Sequence, residues 1–241
     1  MTYDLPMFEN PVFCAIDTPD IDRAADVSAA IAPYVGGLKV GMEYFYACGE
    51  AGYRAVAAAG KPVFLDLKLH DIPNTVASAI RALAPLQPAI VNVHAGGGRA
   101  MMQAAAAAAR DSGASMRVIG VSVLTSLDEA DLAELGLSGT VRDHVRRLGA
   151  LARECGLDGM VCSAHEIEIL KAECGADFLL VVPGIRPAGA AKGDQKRIMT
   201  PAEALALGAD ILVIGRPITA ADDPAAAAAA IAAEIGNLRR G

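Results

Sequence analysis

Short apolar runs rich in β-branched residues alternate along the whole chain with longer segments whose apolar positions, mostly Ala, recur at helical spacing. Eight runs read as strands: VFCAID (12–17), GGLKVG (36–41), PVFLDLK (62–68), AIVNVHA (89–95), RVIGVSVL (117–124), DGMVCSA (158–164), DFLLVVPG (177–184) and DILVIG (210–215). Between them, DIDRAADVSAAIAPY, YFYACGEAGYRAVAAAG, NTVASAIRALAPL and GRAMMQAAAAAARDSG read as helices, and AADDPAAAAAAIAAEIGNLRRG follows the last strand. This alternation predicts parallel βαβ units, because a parallel connection needs a long crossover. Near-continuous apolar strands are covered on both faces, and Ala lets the covering helices approach closely. Eight such units in 241 residues fill a single (β/α)8 TIM barrel, a fold of roughly 250 residues, with little left over. The rival, a doubly wound open sheet, calls for a GxGxxG after the first strand, which is missing here. No linker, charge run or shift in composition divides the chain, so residues 1–241 are expected to form one catalytic domain.

Polar residues interrupt the pattern at one end of the strands. Asp17 ends the first run, Lys39 lies in the second, and Asp66 and Lys68 end the third. His94 ends the fourth, the fifth carries Ser122 with Thr125 just beyond, and the eighth leads into Gly215 and Arg216. In a barrel these C-terminal strand ends and the loops after them carry function. Any one of them is an ordinary solvated strand end. As a set they point to a site, because charge in an apolar strand is costly unless paired.

The densest patch is DLKLHDIPNT (66–75). Strand alternation puts Asp66 and Lys68 on one side, with Asp71 in the following loop. With Lys39 from the neighbouring run, two carboxylates and two ammonium groups stabilise one another's charged forms. A Lys kept charged beside a reacting carbon is a proton donor rather than a Schiff-base nucleophile. The bland alternative is an ion-pair network that only closes the barrel, and D-x-K alone is a weak motif. A second patch, PGIRPAGAAKGDQKRIMTP (183–201), is rich in glycine and donors, including Arg186 and Gln195, and reads as a lid. Loops after the seventh and eighth strands of such barrels often bind phosphate. There Gly215 allows close approach, and Arg216 offers a bidentate grip.

Composition narrows the class. A chain 54% hydrophobic and 20% charged is not disordered. No apolar run approaches the ~20 residues of a membrane span, and MTYDLPMFENP lacks the layout of a secretory signal. Five scattered cysteines without a CxxC pair favour reduced thiols, so a cytoplasmic location without membrane association is expected. A net charge of −7 argues against a general nucleic-acid binder. His70, His94, His144 and His165 have no metal-ligand spacing, so no metal is expected. Cys162, Met101 and Met102 read as packing residues, the methionines in the core or a dimer interface.

FCAID, GLKVG, FLDLKLHDIPNT, VNVHA, VSVLTS, VPGIRPAGAAKGDQKRIMTP and VIGRP occur in order from the first strand to the last. In these segments the chain resembles the orotidine 5′-monophosphate decarboxylases, with no departure at a position that family uses. The resemblance implies cofactor-free conversion of orotidine 5′-monophosphate to UMP and CO2 in pyrimidine biosynthesis. It implies that Lys68 donates the proton to C6 within a network of Lys39, Asp66, Lys68 and Asp71. Asp17 and Lys39 then lie near the ribose, Ser122 and Thr125 near the pyrimidine, and Arg186, Gln195, Gly215 and Arg216 at the phosphate and lid. It further implies a homodimer, with Asp71 and Thr75 reaching the partner's site. Two alternatives stay open: a magnesium-dependent sugar-phosphate decarboxylase or aldolase of the same barrel type, and a non-catalytic nucleotide-binding barrel.

Overall fold

A computed structural model describes residues 10–186 and 199–238. Eight parallel strands follow one another in chain order in a closed barrel: β1 (Val12–Ile16), β2 (Gly37–Gly41), β3 (Val63–Leu69), β4 (Ile90–His94), β5 (Arg117–Val121), β6 (Gly159–Val161), β7 (Leu179–Pro183) and β8 (Ile211–Ile214). The helices are α1 (Ile21–Ile31), α2 (Met42–Ala57), α3 (Pro73–Leu83), α4 (Gly98–Asp111), α5 (Glu129–Glu134), α6 (Val141–Glu154), α7 (Ile167–Cys174), α8 (Pro201–Ala206), α9 (Arg216–Thr219) and α10 (Pro224–Leu238). The (β/α)8 expectation therefore holds. Except for β3, the strands are shorter than the apolar runs: β5 stops at Val121 and β6 at Val161, so Ser122 and Cys162 lie just past strand ends rather than within them. Apolar sequence continues past the last ladder bond, which is why periodicity overran these ends.

The chain divides into two compact units. Of the described residues, the first holds 10–67, 183–186, 199–206 and 210–238. Within it β2 lies between β1 and β3, and β8 pairs with the other edge of β1. Its strands are mostly apolar and buried, with Phe13, Ile16, Leu38, Phe64 and Leu65 at 0–1% exposure. Asp20 caps α1 by accepting from the Arg23 amide at 3.0 Å, satisfying one of the donors a helix start leaves unpaired. In α2 the helical backbone breaks at Gly49, with φ 58°, a conformation open to glycine without steric cost.

The second unit, Lys68–Val182 with Leu207–Ala209, carries β4 to β6 in parallel register. Its helix α4 buries Met101, Met102, Ala105, Ala106, Ala108 and Ala109 on one face. That settles the two methionines as core, since both are 0% exposed. Thr140 caps α6 by accepting from the Asp143 amide at 3.1 Å. No described helix is long and apolar enough to cross a membrane.

Candidate active site

In the first unit, strand register sets the geometry. Gly41 on β2 is level with Asp66 on β3, and the pairing of Ile16 with Val40 brings Asp17, one residue past β1, to the same level. Lys39 lies two residues before Gly41 on the same face of β2. Its stem reaches up one layer and places Nζ 3.5 Å from Asp17 Oδ1 and 3.5 Å from Asp66 Oδ2. The Lys39 side chain is 11% exposed and that of Asp66 14%, against 51% for Asp17. A buried cation thus bridges one partly buried and one open carboxylate. Glycine at 41 makes room for it, because a Cβ there would stand 3.0 Å from Lys39 Nζ and 3.2 Å from Asp17 Oδ1.

The same unit contains a cavity of about 250 Å³ beside Asp17, lined by Thr18, Arg23, Arg216 and Thr219 among others. Two guanidinium groups and two hydroxyls suit an oxyanion such as a phosphate. Gly215 precedes α9 and packs close to β1, where a Cβ would meet Ala15 Cβ at 3.4 Å. Because α9 has four residues, side-chain charge rather than helix dipole is its contribution to anion binding. Arg186 is only 7% exposed, unusually low for an arginine, and its backbone N–H donates to the Met199 carbonyl at 3.1 Å. Gln195 lies outside the described residues.

β3 continues into the second unit at Lys68, two residues beyond Asp66. The expected alternation does not carry through to Lys68. Its φ of 52° lies in the left-handed region, so a local conformation rather than strand period directs its side chain. The Lys68 amide donates to Asn92 Oδ1 on β4 at 2.7 Å. Asp71 is exposed, and its carboxylate accepts from the Ile72 amide at 2.7 Å. Thr75, in the first turn of α3, is exposed as well, as is Ile72 at 67%. His70 and His94 stand with ring centroids 5.4 Å apart, so His94 contacts a neighbouring histidine beyond the strand end. Ser122, 5% exposed, donates both its amide (3.4 Å) and its hydroxyl (3.1 Å) to the Val161 carbonyl. Thr125 is exposed.

Cys14 on β1 is held protonated, because burial above all pushes its thiol up to about 12. It is therefore no nucleophile at neutral pH. Among the described residues no group of three or more His, Cys, Asp or Glu side chains is arranged to hold a metal ion. Sequence reasoning missed Gly41, Arg23 and Asn92. The signal for Asn92 was a lone amide inside the apolar run AIVNVHA. That for Gly41 was a glycine two residues after an in-strand lysine.

Residues 10–231 match the family model described as "Orotidine 5'-phosphate decarboxylase / HUMPS family". Orotidine 5'-phosphate decarboxylase of Rhodospirillum rubrum is 55% identical over 235 residues, covering 95% of each chain. The protein of the same name from Sphingopyxis alaskensis is 55% identical over 226 residues, covering 94% of this chain and 99% of that one. Among solved structures, the Lactobacillus acidophilus orotidine 5'-phosphate decarboxylase superposes with a TM-score of 0.83 at 36% identity, covering 94% of this chain and 99% of the other. An uncharacterized conserved protein of Geobacillus kaustophilus gives 0.80 at 42% identity, covering 93% and 99%. The chain belongs to the orotidine 5′-phosphate decarboxylase / HUMPS family.

Proposed function

We propose that this protein is a carboxy-lyase that converts orotidine 5′-monophosphate to UMP and CO2 in pyrimidine biosynthesis without a cofactor. The observation that carries the reading is the Lys39 ammonium held 3.5 Å from both Asp17 and Asp66, with Asp66 two residues before Lys68 on one strand. In the reaction the bond from C6 to the carboxylate breaks, and its electron pair stays on C6. The Lys68 ammonium lowers the energy of that developing charge and then delivers its proton to C6. Solvent reprotonates Lys68. Asp66 lies toward the departing carboxylate, and Lys39, with Asp17, fixes the ribose hydroxyls. Fixed charge of this kind works by matching the transition state better than the ground state.

Arg216, Gly215, Gln195 and Arg186 hold the phosphate, while Ser122 and Thr125 serve the pyrimidine side. The whole chain acts as one catalytic domain. A second copy supplies Asp71 and Thr75 to its partner's site, which their exposure in the single chain supports. All five cysteines carry thiols, which supports a reducing, cytoplasmic setting. A second reading draws on the wider family description: a magnesium-dependent sugar-phosphate decarboxylase or aldolase.

The test is Lys68→Ala. Turnover of orotidine 5′-monophosphate is expected to be lost, by at least about a thousandfold as for removal of a group on which proton transfer depends, while UMP still binds. Near-normal turnover would show that Lys68 is not the donor.

A further inference from the structure

Among the described residues, Lys68 and Gln87 alone combine a side chain with a left-handed backbone, at φ 52° and 53°. Gln87 does so at the end of a short 3-10 helix, where left-handed caps are common. Lys68 does so inside β3, one residue before its end. A conformation disfavoured for any residue with a Cβ persists only where the surroundings enforce it.

Asn92 is the enforcing neighbour. It is 0% exposed on β4, flanked by Val91 and Val93, and in register with Ile119 of β5. Burying a carboxamide in such a strand is unfavourable unless it is hydrogen-bonded. Its oxygen accepts from the Lys68 N–H at 2.7 Å, a short bond to the peptide whose φ is inverted. The bond is to the backbone, so it acts on where the lysine side chain starts rather than on its charge.

We propose that Asn92 is a positioning residue: its carboxamide locks the Lys68 peptide in the left-handed conformation and so fixes the direction in which the ammonium leaves the strand. The inference rests on Lys68 being the proton donor. A neutral amide suits the task, because it supplies an acceptor without adding a carboxylate beside the donor. With the lock gone, the backbone relaxes toward negative φ and the ammonium swings off its line to the reacting carbon. Geometric misplacement of that kind penalises the chemical step more than binding.

The experiment compares wild type, Asn92→Ala, Asn92→Leu and Val93→Ala for kcat, KM and UMP affinity, with folding followed by thermal melting. Leucine keeps the branched skeleton of asparagine without the acceptor and is bulkier, so it errs toward overpacking where alanine errs toward a cavity, and an effect common to both is the loss of the acceptor. Val93→Ala cuts the neighbouring buried side chain and reports what loosening β4 does by itself. The expected result is a fall in kcat of about tenfold or more in the folded Asn92 variants, with KM and UMP affinity within about threefold of wild type. Val93→Ala is expected to melt earlier at unchanged kcat. Folded Asn92 variants with wild-type kcat, or a fall that Val93→Ala shares, would overturn the proposal. A wild type without turnover overturns the functional reading and this one together, whereas an active wild type with active Asn92 variants overturns this one alone.

Discussion

Gly41→Ala adds one methyl group at the point where three charges meet. The backbone there, at φ −89° and ψ 179°, is open to alanine, so the substitution introduces no backbone strain. The new Cβ would stand 3.0 Å from Lys39 Nζ and 3.2 Å from Asp17 Oδ1. Ordinary contact begins at about 3.4 Å, so the ammonium must give way by a few tenths of an ångström. Both of its carboxylate contacts are already at 3.5 Å, so any retreat lengthens at least one of them. Overpacking of this sort costs about 1–3 kcal/mol of stability, and the open side of Asp17 keeps it near the lower figure. Catalysis is more sensitive, because an error of about 1 Å in a placed group costs about 10² in rate. A fall in kcat/KM of about 3- to 10-fold is therefore expected while the protein stays folded. Steady-state decarboxylation and a thermal melt on the same preparation give both numbers. Full activity in Gly41→Ala would show that the Lys39 bridge is structural only.

Arg216→Ala removes a guanidinium from the cavity beside Asp17 and should raise KM by about 10- to 100-fold, the range for one charge-assisted hydrogen-bonded group. Added inorganic phosphite or phosphate should compete less well with the substrate, as an inhibition assay will show. Asp158 carries a carboxyl raised above 3.8 chiefly by burial, against the pull of the Val118 amide and of Arg117 and Arg110. The folded state therefore keeps this proton to higher pH than the unfolded chain, and stability falls as pH rises from 3.8 through the folded value. Asp158→Asn keeps an acceptor for Val118 and removes that loss, so its urea midpoint relative to wild type should improve from pH 3.5 to pH 7, and an unchanged difference contradicts this. If Asp71 works in the partner's site, inactive Lys68→Ala and Asp71→Ala proteins should complement. Mixed dimers carry one intact site, so remixing recovers about a quarter of wild-type activity at statistical exchange, and no recovery contradicts a shared site.

The barrel was legible because strand and helix periods differ, and eight apolar runs alternate with Ala-rich helical segments. The charges were legible because Asp17, Lys39 and Asp66 stand out against apolar strands. Their mutual distances were not, since register between strands far apart in sequence decides that Asp17 and Asp66 flank Gly41. Lys68 was found as a residue, but not its left-handed backbone: alternation assumes extended φ, and the bond that reverses it comes from Asn92, 24 residues on. Ser122 illustrates the opposite case. Its nearness to the fifth strand was visible, but not its place just past the strand end, where its hydroxyl donates to the Val161 carbonyl, a contact only the folded β5–β6 pair creates.

The most direct test is to mix purified protein with orotidine 5′-monophosphate in buffer containing EDTA and follow the ultraviolet change together with the CO2 released. Loss of the orotate absorbance is expected, with one CO2 and one UMP formed per substrate, at the same rate with and without the chelator. No reaction at micromolar enzyme, or a reaction that appears only when magnesium is restored, would contradict it.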